Sequence, residues 1–372
     1  MTYFDNGATT YPKPKSVISS VNYCIKRIGG NPSRSTHKLS MLASEEVYKT
    51  RECIAKMLNV STPENIVFTY NATYALNLAI KTLVREKCHI IISDVEHNSV
   101  LRPLEYLKKQ LKIEYDKFDS DESLDKAIPK LIRPDTRFII STLASNVSGK
   151  EIDYNSLSML AKKHSLKLIV DASQILGHKT IDLKKYECDA LCAPGHKALF
   201  GIQGSGFACF KSNIREGDFV EGGSGSDSFN TEMPIYLPEG YEAGTLGTVG
   251  IVALRSGIEF VTDIGYDNIE HHLNKIRMFI EHEISRNPAV IIYPSYGGNL
   301  IFNLKERTSM ESALILDQYN ICTRGGYHCA PLAHEKLGTS NTGVVRASFS
   351  IMNTMREAEE FVLTINKITK NN

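Results

Sequence analysis

The sequence predicts an α/β fold with a mostly parallel central sheet, completed by a smaller α+β part toward the C-terminus. Three observations carry that expectation. Short, continuous apolar runs recur between amphipathic helical patterns. The alternation gives way near residue 247 to a long helical stretch and two further strands. A chain of 372 residues also exceeds what one small core organises, so a large and a smaller unit are expected. Residues 15–255 form the expected large domain, and residues 1–14 with 256–372 the small one.

The opening "MTYFDNGATT" has no basic region followed by an apolar run, so no secretory signal is expected and the chain reads as cytoplasmic. An amphipathic pattern near 14–28, a glycine-rich break and a helix near 40–59 come next. "KCHIIIS" (87–93), "TRFIISTLAS" (136–145), "LKLIVDAS" (166–173) and "GFACFK" (206–211) read as strands, with helical patterns at 74–84, 98–110 and 154–164 between several of them. Residues 247–286 read as one long helical stretch, "VIIYPS" and "GGNLIFNL" as strands, and 354–369 as a closing helix. In a parallel sheet ligands bind beyond the carboxyl ends of the strands, so the residues just after each strand matter most.

Composition narrows the function. A net charge of +1, with 23% charged residues, gives no electrostatic footprint for nucleic acid or an anionic membrane. No apolar run approaches the length of a membrane span. Eight scattered cysteines are expected to be reduced thiols. Cys188 with Cys192 is the nearest approach to zinc-ligand spacing, but no second pair matches it, so no metal is expected.

Asp171 ends the most hydrophobic strand, in "LIVDASQ", and Lys197 follows His196 in "CAPGHKALFGIQGSG". Pyridoxal phosphate needs a lysine for a Schiff base and an acid to keep its pyridine nitrogen protonated, and these two positions suit both roles. The segment "TYNATYALNLAI" (69–80) leads small and hydroxyl residues into a helix, where free amides favour a phosphate; Thr73 offers a hydroxyl and Ala72 a backbone N–H. In "SDVEHNS", His97 can stack on a pyridine ring. Singly, each has a plainer reading: strand-end acid, solvated lysine, helix cap, loop histidine. Cys329, in "TRGGYHCAPLAH", reads as metal ligand, disulfide partner, buried filler or nucleophile.

Together these segments resemble the class V aminotransferase family of fold-type-I pyridoxal phosphate enzymes, in its cysteine desulfurase branch. The likeness runs from "YFDNGATT" to "VRASFSIMNT", and "RGGYHCAP" is similar to the cysteine segment of the group II, selenocysteine-lyase-like enzymes. The resemblance implies Lys197 as Schiff-base lysine and proton shuttle, Asp171 as pyridinium partner and Gln174 on the cofactor's phenolic oxygen. His97 would stack on the ring, while Thr73 and His196 bind the phosphate. Thr245 would reach a phosphate across a dimer interface, and Asn146 and Arg346 would hold the substrate carboxylate. His37 matches a family active-site histidine, and Arg324 opens and orders the cysteine loop. Two positions depart from the pattern: Pro194 removes a phosphate hydroxyl, and "GTLGT" (244–248) stands where Gly-Thr-Pro-Asn-Thr is frequent.

The activity so implied is sulfur removal from L-cysteine, giving L-alanine and a persulfide on Cys329 that passes to a protein acceptor. Either His328 or the substrate's own protonation changes are expected to help deprotonate the thiol, and Gly325 and Gly326 to let the loop swing. A homodimer is expected. Selenocysteine lyase, aminotransferase or β-eliminating lyase, and non-catalytic scaffold are the competing readings.

Overall fold

The structure, a computed structural model, describes residues 1–32, 36–212, 219–225 and 229–370. Strand β1 (Thr2–Tyr3) is followed by β2 (Ile66–Thr69), β3 (His89–Ser93), β4 (Glu114–Phe118), β5 (Thr136–Thr142), β6 (Lys167–Asp171), β7 (Ala190–Pro194) and β8 (Gly206–Phe210). Strands β2 to β8 form one seven-stranded sheet in the order β2-β8-β7-β6-β5-β3-β4. Within it β4, β3, β5, β6 and β7 run parallel, and β8 is reversed against both of its neighbours. The expected mostly parallel α/β sheet is what the chain forms.

Successive side chains in a strand point to opposite faces, and the two cores divide on that period. Ile90, Ile92, Phe138, Ile140 and Ile169 join one core, while Ile91, Ile139, Leu168 and Val170 join the other. Helices cover both faces, which is why these strands read as unbroken apolar runs. They are α1 (Lys15–Arg27), α2 (Lys38–Met57), α3 (Ala72–Leu83), α4 (Asn98–Leu111), the short α5 (Leu124–Ala127), α6 (Tyr154–Lys163), α7 (Thr248–Ile264) and α8 (Tyr266–Ile284). Edge strand β4 escaped the sequence reading because most of its residues are polar and only its last, Phe118, is buried.

The rest of the chain builds a three-stranded antiparallel sheet from β9 (Val290–Ile292), β10 (Asn299–Leu304) and, after β11 (Ile321–Cys322), β12 (Val345–Ser348). It carries α9 (Ser309–Gln318), α10 (Pro331–Leu337) and α11 (Met355–Lys370). Strand β1 pairs in parallel with β11, tying the N-terminal segment to this sheet. The expected single helical stretch over 247–286 is two helices. Gly265, at φ 86°, lies in the left-handed region, ends α7 with its N–H on the Val261 carbonyl and starts α8 in a new direction.

Helix α7 is pressed against the backbone just after Lys197. A Cβ on Gly257 would lie 2.0 Å from the Leu199 carbonyl oxygen. Gly257→Ala is therefore expected to destabilise the fold by about 1–3 kcal/mol, despite alanine's better helix propensity. A lowered urea midpoint with an unchanged slope checks this; a stabilised variant would contradict the packing.

Candidate active site

Parallel pairing sends the carboxyl ends of β3, β5, β6 and β7 to one edge of the sheet. Thr142 on β5 is in register with Asp171 on β6, and Asp171 with Cys192 on β7, so Asp171 sits two residues from the end of its neighbour strand. The Asp171 carboxylate accepts the Ser173 N–H at 2.9 Å and is nearly buried. Lys197 follows the end of β7. Loss of water around its amine lowers the lysine pKa from 10.5 to about 8; Arg346 and Arg324 add to the shift, while Asp171 and Asp5 oppose it. The amine is thus a usable nucleophile near neutral pH, with Asp171 close enough to be felt. Lys197 shares a cleft with Gln174, Ser173, Gly7 and Ser348.

His97 caps α4, its Nδ1 accepting the Ser99 N–H at 3.0 Å. Burial pushes its pKa down to about 4; Asp171 resists this and Lys197 and Arg324 assist it, so the imidazole is neutral beside the same groups. Asn71 caps α3 by accepting the Tyr74 N–H at 3.0 Å, which puts Ala72 and Thr73 in the first turn. The Thr73 hydroxyl is 2.8 Å from that of Ser99, joining the starts of α3 and α4. His196 has a buried Nδ1 without a hydrogen-bond partner, and burial lowers its pKa to about 4.

Arg346, on β12, is 1% exposed. It donates from Nη1 to the Asn146 carbonyl at 2.6 Å and from Nη2 to Asp5 at 2.8 Å. Asn146 in turn donates from Nδ2 to the His328 carbonyl at 2.7 Å, so one residue links the arginine to the cysteine loop. The buried Arg346 Nε and Asn146 Oδ1 lack partners within the protein, which leaves polar capacity for a ligand.

Residues 5–13 contribute more than the sequence reading assigned to them. Thr9 Oγ1, Thr10 Oγ1, the Thr10 N–H and Lys13 Nζ all donate to the His196 carbonyl, at 3.1–3.2 Å. Thr10 Oγ1 also lies 3.0 Å from the Lys197 carbonyl, and Gln174 donates to the Gly7 carbonyl at 3.1 Å. This segment holds the backbone that presents Lys197. No local pattern marks it, because its partners lie far along the chain.

Cys329 is exposed, and its loop is tied down on every side. Arg324 and Arg346 exchange backbone bonds of 3.2 and 2.8 Å, and Gly326 and Val344 exchange a pair of 3.1 Å. The Cys329 carbonyl accepts the Asn98 N–H at 2.8 Å. His328 and Cys329 both adopt left-handed φ, 49° and 56°, which persists in non-glycine residues where the surroundings demand it. Gly325 permits contact rather than slack: a Cβ there would lie 2.3 Å from the Ser309 carbonyl oxygen. In this conformation Gly325 therefore serves packing, and the expected swing of the loop would have to break these contacts. The role given to His328 is corrected: its buried ring donates from Nε2 to the Val344 carbonyl at 3.1 Å, and burial lowers its pKa to about 2. It is too weak a base to hold the thiol's proton.

Two expected site residues lie elsewhere in the chain's own contacts. His37 is an exposed cap of α2, accepting the Ser40 N–H at 3.3 Å. The Thr245 hydroxyl is 3.4 Å from Asn31 Nδ2 and borders a cavity lined by Tyr70, Tyr74 and Phe219. Among the described residues no cluster of histidine, cysteine and acid side chains is able to hold a metal ion. Among the described residues, no helix is long and apolar enough to cross a membrane.

The family model for class-V aminotransferases matches residues 2–361. A probable cysteine desulfurase of Pyrococcus abyssi is 30% identical, over 99% of this chain and 94% of its own length. A probable cysteine desulfurase of Borreliella burgdorferi is also 30% identical, over 99% of this chain and 92% of its own. Among solved structures, the apo cysteine desulfurase of Thermococcus onnurineus superposes with a TM-score of 0.89 at 28% identity, covering 100% of this chain and 95% of that one.

Proposed function

The chain belongs to the class-V aminotransferase family, and from that premise we propose that it is a pyridoxal-phosphate-dependent cysteine desulfurase. In this reading it takes sulfur from L-cysteine, releases L-alanine and keeps the sulfur as a persulfide on Cys329. One observation carries the proposal: Asn146 bonds both Arg346 and the loop of Cys329, and Gly7, packed on the Arg346 guanidinium, lines the cleft of Lys197. This supports reading lysine, acid, arginine and thiol as parts of one site.

The residues present fit the cofactor. A low-pKa lysine beside a buried acid, a capped helix start with free amides and an unpartnered His196 Nδ1 are what its aldehyde, pyridine nitrogen and phosphate require. Bound there, it supplies an electron sink for the charge left when substrate Cα loses a proton. Asp171 would hold the proton on the pyridine nitrogen, His97 would cover the ring, and Gln174 would donate to the phenolic oxygen. Ala72 N–H, Thr73 and His196 would take the phosphate. Arg346 and Asn146 take the substrate carboxylate, and Lys197 Nζ moves the Cα proton. The Cys329 thiolate then bonds to the substrate sulfur. The Cβ–S bond breaks, its electron pair stays with Cβ, and protonation completes the methyl group of alanine.

The dimer belongs to the same proposal: exposed Tyr70 and Tyr74 border the cavity beside Thr245, a surface that a second copy would cover. Thr245 and His37 would then serve the neighbouring copy's site, with Arg324 ordering the thiol loop. Exposure of Cys329 suits transfer to a protein acceptor, and eight free cysteines suit the cytoplasm. The domain division at 15–255 is part of this reading. The test is a product assay on the cofactor-loaded protein with L-cysteine. Alanine and sulfide in equal amounts, with reductant present, are the expected result; pyruvate in place of alanine would make the protein a β-eliminating lyase.

A further inference from the structure

Arg346 is a buried cation held by partners from two distant segments of the chain. Its Nη1 is bound to the Asn146 carbonyl at 2.6 Å and its Nη2 to the Asp5 carboxylate at 2.8 Å, while its Nε has no partner. Asp5 comes from the segment after β1, and the close fit is maintained by Gly7, where a Cβ would lie 3.0 Å from the guanidinium carbon. A guanidinium receives a carboxylate best along one flat edge. Asp5 thus fixes the plane of the fork and occupies part of it, and the buried Nε is a donor still without an acceptor.

The charges around the arginine count in the same direction. Arg346 and Arg324 contribute two positive charges at this end of the site, and Asp5 removes one. Lys197 and Asp171 lie outside this count, since the cofactor would engage both. At the arginine end one positive charge remains uncompensated, matched to a substrate with a single free carboxylate. Without Asp5 the same pocket would carry two, and a second acidic group on the ligand would be attracted rather than tolerated.

We infer that Asp5 is a specificity-determining positioning residue, which aligns Arg346 and restricts the site to amino acids bearing one carboxylate. This rests on the desulfurase reading for the identity of the substrate, but not for the binding preference itself. A structural role alone would alter the binding of all amino acids alike, whereas charge matching changes their ranking.

The experiment uses the cofactor-loaded protein and two ligands that differ by one carboxylate group, L-aspartate and L-alanine, as competitive inhibitors of L-cysteine turnover and as titrants in calorimetry. Asp5→Asn keeps an acceptor for Nη2 and removes the charge; Asp5→Ser removes the charge with a smaller group. In both, the preference for aspartate over alanine is expected to rise about tenfold, and to shrink again as salt is added. Asp5→Glu keeps the charge but displaces it, so the wild-type ranking should survive with a raised KM. An unchanged ranking, within about twofold, in both neutral variants of an active protein overturns the inference and leaves the desulfurase reading standing. If the wild type makes no sulfide from L-cysteine, that reading fails instead, and the calorimetric ranking still decides the role of Asp5.

Discussion

Replacing Lys197 by alanine is expected to cut L-cysteine turnover by about 10²- to 10⁴-fold or further, the range covered by loss of a positioned proton-transfer group, and to remove the covalent anchor of the cofactor as well. The cause is specific to this amine. Burial strips water from it, and its pKa falls to about 8 against the opposing pull of Asp171. The free amine needed to capture an aldehyde is thus available more than two pH units below an ordinary lysine. Cofactor uptake by the apoprotein should accordingly speed up as pH rises through about 8, not above 10. Borohydride reduction and peptide mapping should find the pyridoxyl mass on the Lys197 peptide of the wild type. A variant retaining about a tenth of the wild-type rate would exclude Lys197 from the chemistry.

Cys329→Ala should stop sulfide release from L-cysteine and leave cofactor binding and thermal stability close to those of the wild type. The stability half of this expectation follows from the backbone. The Cys329 contact that holds the loop, the Asn98 N–H on its carbonyl, survives the substitution. Alanine also carries a Cβ, so the left-handed φ of 56° costs the variant no more than the native residue. Turnover of L-selenocysteine should fall less, because a selenol leaves carbon more readily than a thiol. Undiminished sulfide release from the variant would end the persulfide assignment, whatever the fate of the selenium substrate.

The parts of this site readable in one dimension are those with a local cause. Asp171 and Lys197 are conspicuous because each breaks or follows an apolar run, and a parallel sheet brings such strand ends to one edge. Ala72 and Thr73 are readable because a capped helix start has its own sequence pattern. Arg346 is different: β12 is only four residues long, and nothing nearby explains a buried cation until Asp5 is seen against it. The four donors from residues 9–13 that meet the His196 carbonyl are equally hidden, since the two segments lie more than 180 positions apart. Where the sequence reading erred, it treated chemistry as if it were independent of burial. His328 has the right side chain to act as a base beside Cys329, but enclosure and the Val344 carbonyl commit its ring elsewhere. Gly325 also has a packing cause that no local pattern records, because Ser309 leaves no room for a Cβ there. The long helix over 247–286 was broken by a single residue, Gly265, whose backbone angle no periodicity records.

The pairing of β1 with β11, and of Asp5 with Arg346, also bears on biosynthesis. Residues 2–13 leave the ribosome long before the segments that secure them exist. The strands up to residue 210 precede those segments in the chain, and the pairing of β1 and Asp5 is completed only when the N-terminal segment meets residues 321–348. A nascent polypeptide that stalls before that point would display a catalytic pocket with one wall absent.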